Sequence, residues 1–437
     1  VAAGVCGASN LAVQADRFQG FLVTDQLPTG SKSEPSICIV GGAGHVGLPL
    51  ALVLASKGHS VRIYDLNREV LKRIQGGEMP FAEADAEPLL RQALDANRLS
   101  FSSSPDSIAD VPTVIVTIGT PVDEFMNPET RVIKQWADDS LPYLSPGQLL
   151  VFRSTIYPGT TQWLESYLTR RGKKDVLLAY CPERIVQGFA VRELQTLPQI
   201  VSGTTTAAAD AAAAIFSSIA PQIVRLAPME AEFAKLFTNA HRYIEFAIAN
   251  QFYMIANSAG VDYNRVLEGL KSNYPRAKGM PTAGLSAGPC LVKDTMQLAA
   301  FSQNQFPLGH AAMLVNEGLV LYLVEEMKRK YPISEMVVGL LGTAFKADCD
   351  DTRSSLSYKL KKILKLVAAD VLTTDPYVAT DPELLPVNEV VERSDLLVLC
   401  TPHTAYRDLD RRNKPMIDVW GFWRTSNAEG RPVDAVV

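Results

Sequence analysis

Ile37-Cys38-Ile39-Val40-Gly41-Gly42-Ala43-Gly44-His45-Val46-Gly47-Leu48-Pro49 is the stretch on which the fold turns. Four apolar residues run straight into a cluster of glycines, and a helical pattern follows from Leu48 to about Lys57. Val61-Arg62-Ile63-Tyr64-Asp65 then resumes as a strand. Strand, glycine turn, helix and strand make a βαβ unit. Glycines at 42, 44 and 47 let the backbone turn tightly and approach a pyrophosphate held at the helix N-terminus. Asp65 closes the second strand 23 residues after Gly42, where a carboxylate binds the adenosine ribose hydroxyls and repels a 2′-phosphate. The stretch therefore reads as a site for NAD over NADP, lined by Gly42, Gly44, His45, Val46, Gly47 and Asp65. A tight structural turn is the plainer alternative.

Working outward, apolar strand candidates follow at Thr113–Ile118, Leu149–Phe152 and Val176–Ala179, separated by helical stretches. That alternation predicts a mostly parallel, doubly wound sheet. A second α/β region starts near Met336, with Val337–Gly342 entering another glycine turn and strands at Val371–Asp375 and Leu396–Leu399. Between them, Met229 to Lys330 carries long helical signals and few strand signals. The fold class is α/β: two Rossmann-like doubly wound domains joined by a long central helix. The division is an extension at 1–35, a dinucleotide domain at 36–228, a central helical domain at 229–330 and a second nucleotide-type domain at 331–437.

Composition limits what such a chain can do. In 437 residues, 47% are hydrophobic and 20% charged, which excludes a disordered or collagen-like protein. A formal charge of −5 without basic blocks makes nucleic acid a poor partner. No apolar stretch long enough to span a membrane is expected, nor a secretory leader, because the N-terminus lacks a basic region. Six cysteines lie far apart with no CxxC pair, which argues against a zinc site or disulfide scaffold and for a reducing cytoplasm.

Two features carry chemistry. Met229–Gly260 reads as one long, largely apolar helix into which Lys235, Asn239 and Arg242 are set at i, i+4 and i+7, along one face. Either this is a solvated face, or two cations and an amide face a site suited to an oxyanion, a developing alkoxide or a sugar nucleotide. Gly284-Leu285-Ser286-Ala287-Gly288-Pro289-Cys290 then leads into Leu291-Val292-Lys293-Asp294. Cys290 lies at a loop-to-helix junction, where the helix dipole and Lys293 are expected to lower its thiol pKa, and Asp294 is a plausible base. Cys38 and Cys400 read as core residues inside strands. A nucleophilic cysteine beside a nicotinamide suggests oxidation of a carbonyl held as a thiohemiacetal, giving a thioester.

Taken together, these residues resemble the UDP-glucose/GDP-mannose dehydrogenase family from Ser36 to about Trp423. The resemblance rests on the Gly42–Pro49 turn, Gly119-Thr120-Pro121, Ser154-Thr155-x-x-Pro158-Gly159-Thr160, Cys181-Pro182-Glu183, Lys235-x-x-x-Asn239, Gly288-Pro289-Cys290-x-x-Lys293-Asp294, and Gly342-x-Ala344-Phe345-Lys346 with Asp351-x-Arg353-x-Ser355. It implies four-electron oxidation of a nucleotide sugar's C6 hydroxyl by two NAD⁺, in a homodimer built about the central helix. It further implies Cys290 as nucleophile, Lys235 and Asn239 as oxyanion groups, and Asp294 and Thr155 as positioning or activating water, with Glu183 nearby. Thr120, Pro121, Thr155 and Arg353 join the cofactor set; Glu183, Arg184, Arg242, Arg276, Gly288 and Lys346 join Lys235 and Asn239 toward a UDP-sugar. Gln187 stands where many UDP-glucose dehydrogenases carry a second glutamate, and Pro182-Glu183-Arg184-Ile185 with Gly188 looks more like the N-acetylhexosamine branch. Lys293, in contrast, matches the glucose branch.

Two other readings compete. A two-electron hydroxyacid-type dehydrogenase also pairs a Rossmann domain with helices and needs no cysteine. A catalytically silent nucleotide-sugar-binding protein needs neither Lys235 nor Cys290.

Overall fold

The computed structural model describes residues 36–423 except 124–128 and 286–287. The expected extension at 1–35 lies outside these residues, as does Cys6. The first sheet holds β1 (Ile37–Val40), β2 (Val61–Tyr64), β3 (Leu99–Ser102), β4 (Thr113–Val116), β5 (Leu149–Phe152), β6 (Leu177–Tyr180), β7 (Gln199–Gly203) and β8 (Ile223–Arg225). Their order is β3-β2-β1-β4-β5-β6-β7-β8. The strands from β3 to β6 are parallel; β7 runs antiparallel to β6, with Ala179 opposite Gly203, and β8 runs parallel to β7. All four residues of β1 are buried, which is why it reads as an unbroken apolar run. Ile39 and the helix Gly47–Ser56 belong to the core on one face, while Cys38, Val40 and Phe152 belong to the core on the other. The order reverses between β1 and β4, so a crevice opens at their carboxyl ends, where the loops after β1, β4, β5 and β6 meet.

The second sheet comprises β9 (Val337–Leu341), β10 (Asp370–Thr374), β11 (Leu396–Leu399) and β12 (Met416–Ile417), all parallel, in the order β10-β9-β11-β12. It reverses between β9 and β11 in the same way. Gly342 follows β9 at φ 91°, and a Cβ there would lie 2.5 Å from Thr401 Cβ. Cys400 sits just past β11 rather than inside a strand, buried as expected.

Between the sheets runs one helix, Pro228–Ser258, of 31 residues, about 46 Å long. It begins one residue before the expected start because Pro228 occupies the first helical position, where a missing N–H costs nothing. Glu230 Oε2 accepts from the Ala227 amide at 2.7 Å and closes that end. Helices Leu291–Phe301 and Pro307–Lys330 pack against it. Helix Pro307–Lys330 has a mean hydropathy of 1.3 and is long and apolar enough to cross a membrane by length and composition alone. His310, Asn316 and Glu317 punctuate the run, so it is not an uninterrupted apolar stretch. Its Leu319, Val320, Leu323 and Met327 pack in one core with Val338 and Leu340 of β9.

Candidate active site

The glycine loop after β1 divides its labour. A Cβ on Gly42 would lie 2.7 Å from Ile39 O, and one on Gly47 would lie 2.6 Å from Gly41 O and from Gly42 Cα. Gly44 would meet nothing nearer than 3.5 Å. Gly42 and Gly47 are therefore demanded by packing, and Gly44 leaves the loop surface clear. Among the described residues, the amides of His45, Val46 and Gly47 make no backbone hydrogen bond, and no side chain caps helix Gly47–Ser56. Unsatisfied amides over an open glycine suit a pyrophosphate. Asp65 accepts from the Ala43 amide at 3.1 Å and from the Asn67 amide at 3.0 Å, so its carboxylate stands beside the same loop. Thr120 Oγ1 donates to Thr155 O at 2.6 Å and ties the loops after β4 and β5 together, with Pro121 following. The residues present thus fit a dinucleotide. Among the described residues, no group of three or more His, Cys, Asp or Glu could hold a metal.

Cys290 immediately precedes helix Leu291–Phe301. Its own surface is exposed, unlike the buried Cys38, Cys181, Cys349 and Cys400, yet it lies deep among surrounding protein groups. Burial and the Asp294 carboxylate push its thiol above the ordinary value, while Lys235, Lys293 and Arg353 pull the other way. This corrects the expected lowering: loss of solvation outweighs three cations. The same balance shows that ammonium groups from the central helix and the thiol helix, and a guanidinium from the second sheet's unit, all act on the sulfur.

Asn239 Nδ2 donates to Asp294 Oδ2 at 2.6 Å. Lys293 Nζ lies 2.8 Å from Asp294 Oδ1, but that oxygen accepts no directed hydrogen bond, so charge neutralises it while a lone pair remains. Asp294, Asn239 and Lys235 are 0%, 5% and 9% exposed. Lys235 has no hydrogen-bond or ion-pair partner among the described residues. Burial of Lys235 and Asn239 decides against a solvated stripe. Arg242 is half-buried on the same face, and its charge reaches Lys346.

Other expected residues are distributed less simply. Glu183 forms a buried ion pair with Arg153, and its Oε1 accepts from the amides of Arg184 and Ile185 at 2.8 and 3.1 Å. The Arg184 guanidinium donates to Pro198 O. Arg276 is exposed and stacks over Tyr274 at 5.2 Å; no described contact brings it to the thiol. Arg353 donates to Asp351 through Nε at 3.0 Å and Nη2 at 2.6 Å. Lys346 donates to Gln187 O and lies 5.1 Å over the Phe189 ring; burial lowers its pKa. Gly288, at φ 117°, lets Phe345 approach so closely that a Cβ would stand 2.8 Å from its ring. His45 Nε2 lies 3.4 Å from Gln187 Nε2, and burial holds its ring below the usual imidazole value against the pull of Asp351.

Sequence reasoning missed Arg153 and the bridging part of Gln187. A charged residue directly after the four buried residues of β5 was the available signal for the first. For the second there was none, because its contacts come from three separate segments.

Two nucleotide-type sheets, meeting at a helix that buries an ammonium and an amide, make the arrangement of an NAD-dependent dehydrogenase acting on a nucleotide sugar. Residues 35–220 match the NAD binding domain of the UDP-glucose/GDP-mannose dehydrogenase family, 229–318 its central domain and 339–425 its UDP binding domain. The chain belongs to that family. It is 30% identical over 382 residues to the UDP-N-acetyl-D-mannosamine dehydrogenase of Pyrococcus horikoshii, covering 84% of this chain and 90% of the relative. An NDP-N-acetyl-D-galactosaminuronic acid dehydrogenase of Ralstonia nicotianae is 27% identical over 407 residues, covering 88% and 95%. Among solved structures, a UDP-glucose dehydrogenase from Pyrobaculum islandicum superposes with a TM-score of 0.82 at 25% identity, covering 91% and 97%.

Proposed function

We propose that this enzyme oxidises the C6 hydroxyl of a UDP-N-acetylhexosamine to the carboxylate, in two steps joined by a covalent bond to Cys290. One observation carries the reading: Lys235 of the central helix and Arg353 both act on the Cys290 sulfur, Asn239 of that helix bonds Asp294 in the turn after Cys290, and the same Arg353 charge reaches His45 of the glycine loop. Bound NAD supplies the acceptor for two electrons at each oxidation. Lys235 and Asn239 are aimed where negative charge develops, on the C6 oxygen of the first step and on the tetrahedral species of the later ones. The Cys290 sulfur bonds to C6 of the aldehyde while the thiol proton passes to the carbonyl oxygen, giving a neutral thiohemiacetal. A second oxidation leaves a thioester. Water then attacks C6, Asp294 takes its proton through the oxygen that keeps a lone pair, and the C–S bond breaks to return the thiolate. Thr155 positions that water, and Glu183, held by Arg153, shapes the turn after β6 beside it.

Gly42, Gly44, His45, Val46, Gly47, Asp65, Thr120, Pro121, Thr155 and Arg353 form the cofactor surface in this reading. Arg184, Arg242, Arg276, Gly288 and Lys346 serve the nucleotide sugar, Arg276 from its exposed place over Tyr274. Residues 36–228, 229–330 and 331–437 are the cofactor, catalytic and substrate domains. The choice of an N-acetylhexosamine is supported by the activities named for the Pyrococcus and Ralstonia relatives and by Gln187. The product is an acidic sugar for polysaccharide synthesis, made in a reducing cytoplasm in keeping with the five free described thiols. A homodimer about the central helix completes the proposal.

The test is NADH absorbance with UDP-N-acetylmannosamine, UDP-N-acetylgalactosamine, UDP-N-acetylglucosamine, UDP-glucose and GDP-mannose. Two NADH per sugar are expected, fastest with a UDP-N-acetylhexosamine. One NADH per sugar rejects the thioester route, and faster turnover of UDP-glucose or GDP-mannose rejects the sugar assignment.

A further inference from the structure

Two fully buried amides, Asn250 on the central helix and Asn316 on helix Pro307–Lys330, take no part in the chemistry above. Asn250 Oδ1 accepts from the Gly284 amide at 2.8 Å, and its Nδ2 donates to Asn316 Oδ1 at 2.9 Å. Asn316 Nδ2 donates in turn to Tyr243 O at 3.0 Å, back on the central helix. Buried amides of this kind cost desolvation, and a well-packed apolar pair would hold two helices together at least as well. What the pair achieves that leucines could not is a directed bond to one backbone amide. That amide belongs to Gly284, in the loop that ends at Cys290.

The geometry points to Asn250, oriented by Asn316, as the positioning residue that fixes Gly284, six residues ahead of Cys290, relative to Lys235 and Asn239 on the same helix; residues 286–287 of the intervening chain lie outside the described residues. At 100° per residue, Asn250 falls within about 20° of Asn239 on the helix face and about 16 Å along it. One rigid helix therefore carries both the oxyanion groups and the anchor for the thiol loop. The loop's other holds come from the second sheet's unit: Gly284 lies against the Trp420 ring, where a Cβ would approach to 2.4 Å, and Gly288 lies against Phe345. Asn250 is thus the hold that references the loop to the catalytic helix itself. This role rests on the proposed thioester route, in which the first oxidation needs Lys235 and Asn239 but not the thiol, and the second needs all three.

The test compares Asn250→Leu and Asn316→Leu with the wild-type protein, each first shown to be folded by thermal melting. Asn250→Leu is expected to release free aldehyde, trapped with a hydrazide, so that NADH per carboxylate rises above two. Its kcat for acid should fall at least tenfold with the KM for NAD within twofold, and Asn316→Leu should show the same pattern more weakly. A uniform loss of both oxidations, or a variant that keeps two NADH per acid without aldehyde, overturns the proposal. If Asn250→Leu does not fold, Asn250→Ser, which shortens the side chain and breaks the Gly284 bond, carries the same measurement. Alkylation of Cys290 by iodoacetamide without substrate separates this from failure of the functional reading. A changed rate in the Asn250 variants is expected whatever the wild-type stoichiometry, and an unchanged rate also overturns the proposal.

Discussion

At the scale of single residues, the thiol shows why neighbours must be weighed together. Cys290 has three cations acting on it and still lies above the ordinary thiol value of 9.0, because burial is the largest influence and Asp294 adds to it. The sign of the consequence is definite. Raising the pKa keeps the neutral thiol to higher pH, so the thiolate fraction, and with it the alkylation rate of the free enzyme, keeps rising with pH beyond 9.0. Lys235→Met removes one of the cations that lower the value, so the midpoint of the iodoacetamide rate–pH curve should move higher still. A midpoint near 7, or one that Lys235→Met leaves in place, contradicts this balance.

At the scale of elements, the two sheets repeat one device. Asp65 follows β2 and accepts from the glycine-loop amide of Ala43; Asp375 follows β10 and accepts from the amides of Thr343 and Ala344 at 2.6 and 3.0 Å. In the second unit His403 Nε2 adds a contact of 3.0 Å to the same oxygen. Burial works to raise the Asp375 pKa, but the hydrogen bond and charge of His403 together with the backbone amides prevail and hold it at about 2. A carboxylate depressed from 3.8 to about 2 stabilises the folded state above pH 3.8 and loses that contribution as pH falls toward 2. The size is about 2 kcal/mol. Asp375→Asn should lower stability at neutral pH by about that much in urea titrations, and its deficit should shrink as pH falls from 4 toward 2. A deficit independent of pH would assign the effect to packing.

At the scale of the whole molecule, the central helix has two opposed faces. Taking 100° per residue, Phe237, Ile248 and Ile255 fall within about 20° of one another, while Lys235 and Asn239 lie about 140–180° away. The first group is 57%, 44% and 59% exposed, and Phe252 beside it is 44% exposed. An apolar stripe of that kind, with Leu314 and Leu321 exposed on the neighbouring helix, is the surface on which a second copy is expected to pack. Sedimentation should give a dimer for the wild-type chain and a monomer for the double variant Phe237→Glu, Ile255→Glu. A dimer in both would move the interface elsewhere. The units also meet directly: Lys346 donates to Gln187 O, and the Ala82 amide donates to Asp350 Oδ2 at 3.2 Å. From that second unit the Arg353 charge reaches the Cys290 thiol of the central region.

What could be read from the chain alone followed from local rules. Apolar runs buried on both faces announce parallel strands, glycines announce a turn that no Cβ would fit, and i, i+4 spacing places Lys235 and Asn239 on one face. These properties are set by residues close together in the chain. β3, β7, β8 and β12 lack a readable apolar run, the first three because serine, glutamine or arginine breaks it and β12 because it has two residues, and β7 reverses direction without any local mark. The thiol's pKa, the capture of Glu183 by Arg153, the isolation of Arg276 and the tie between Asn250 and Gly284 were settled only by the tertiary structure. Burial and charge act through space, so their outcome depends on segments that the chain order keeps far apart.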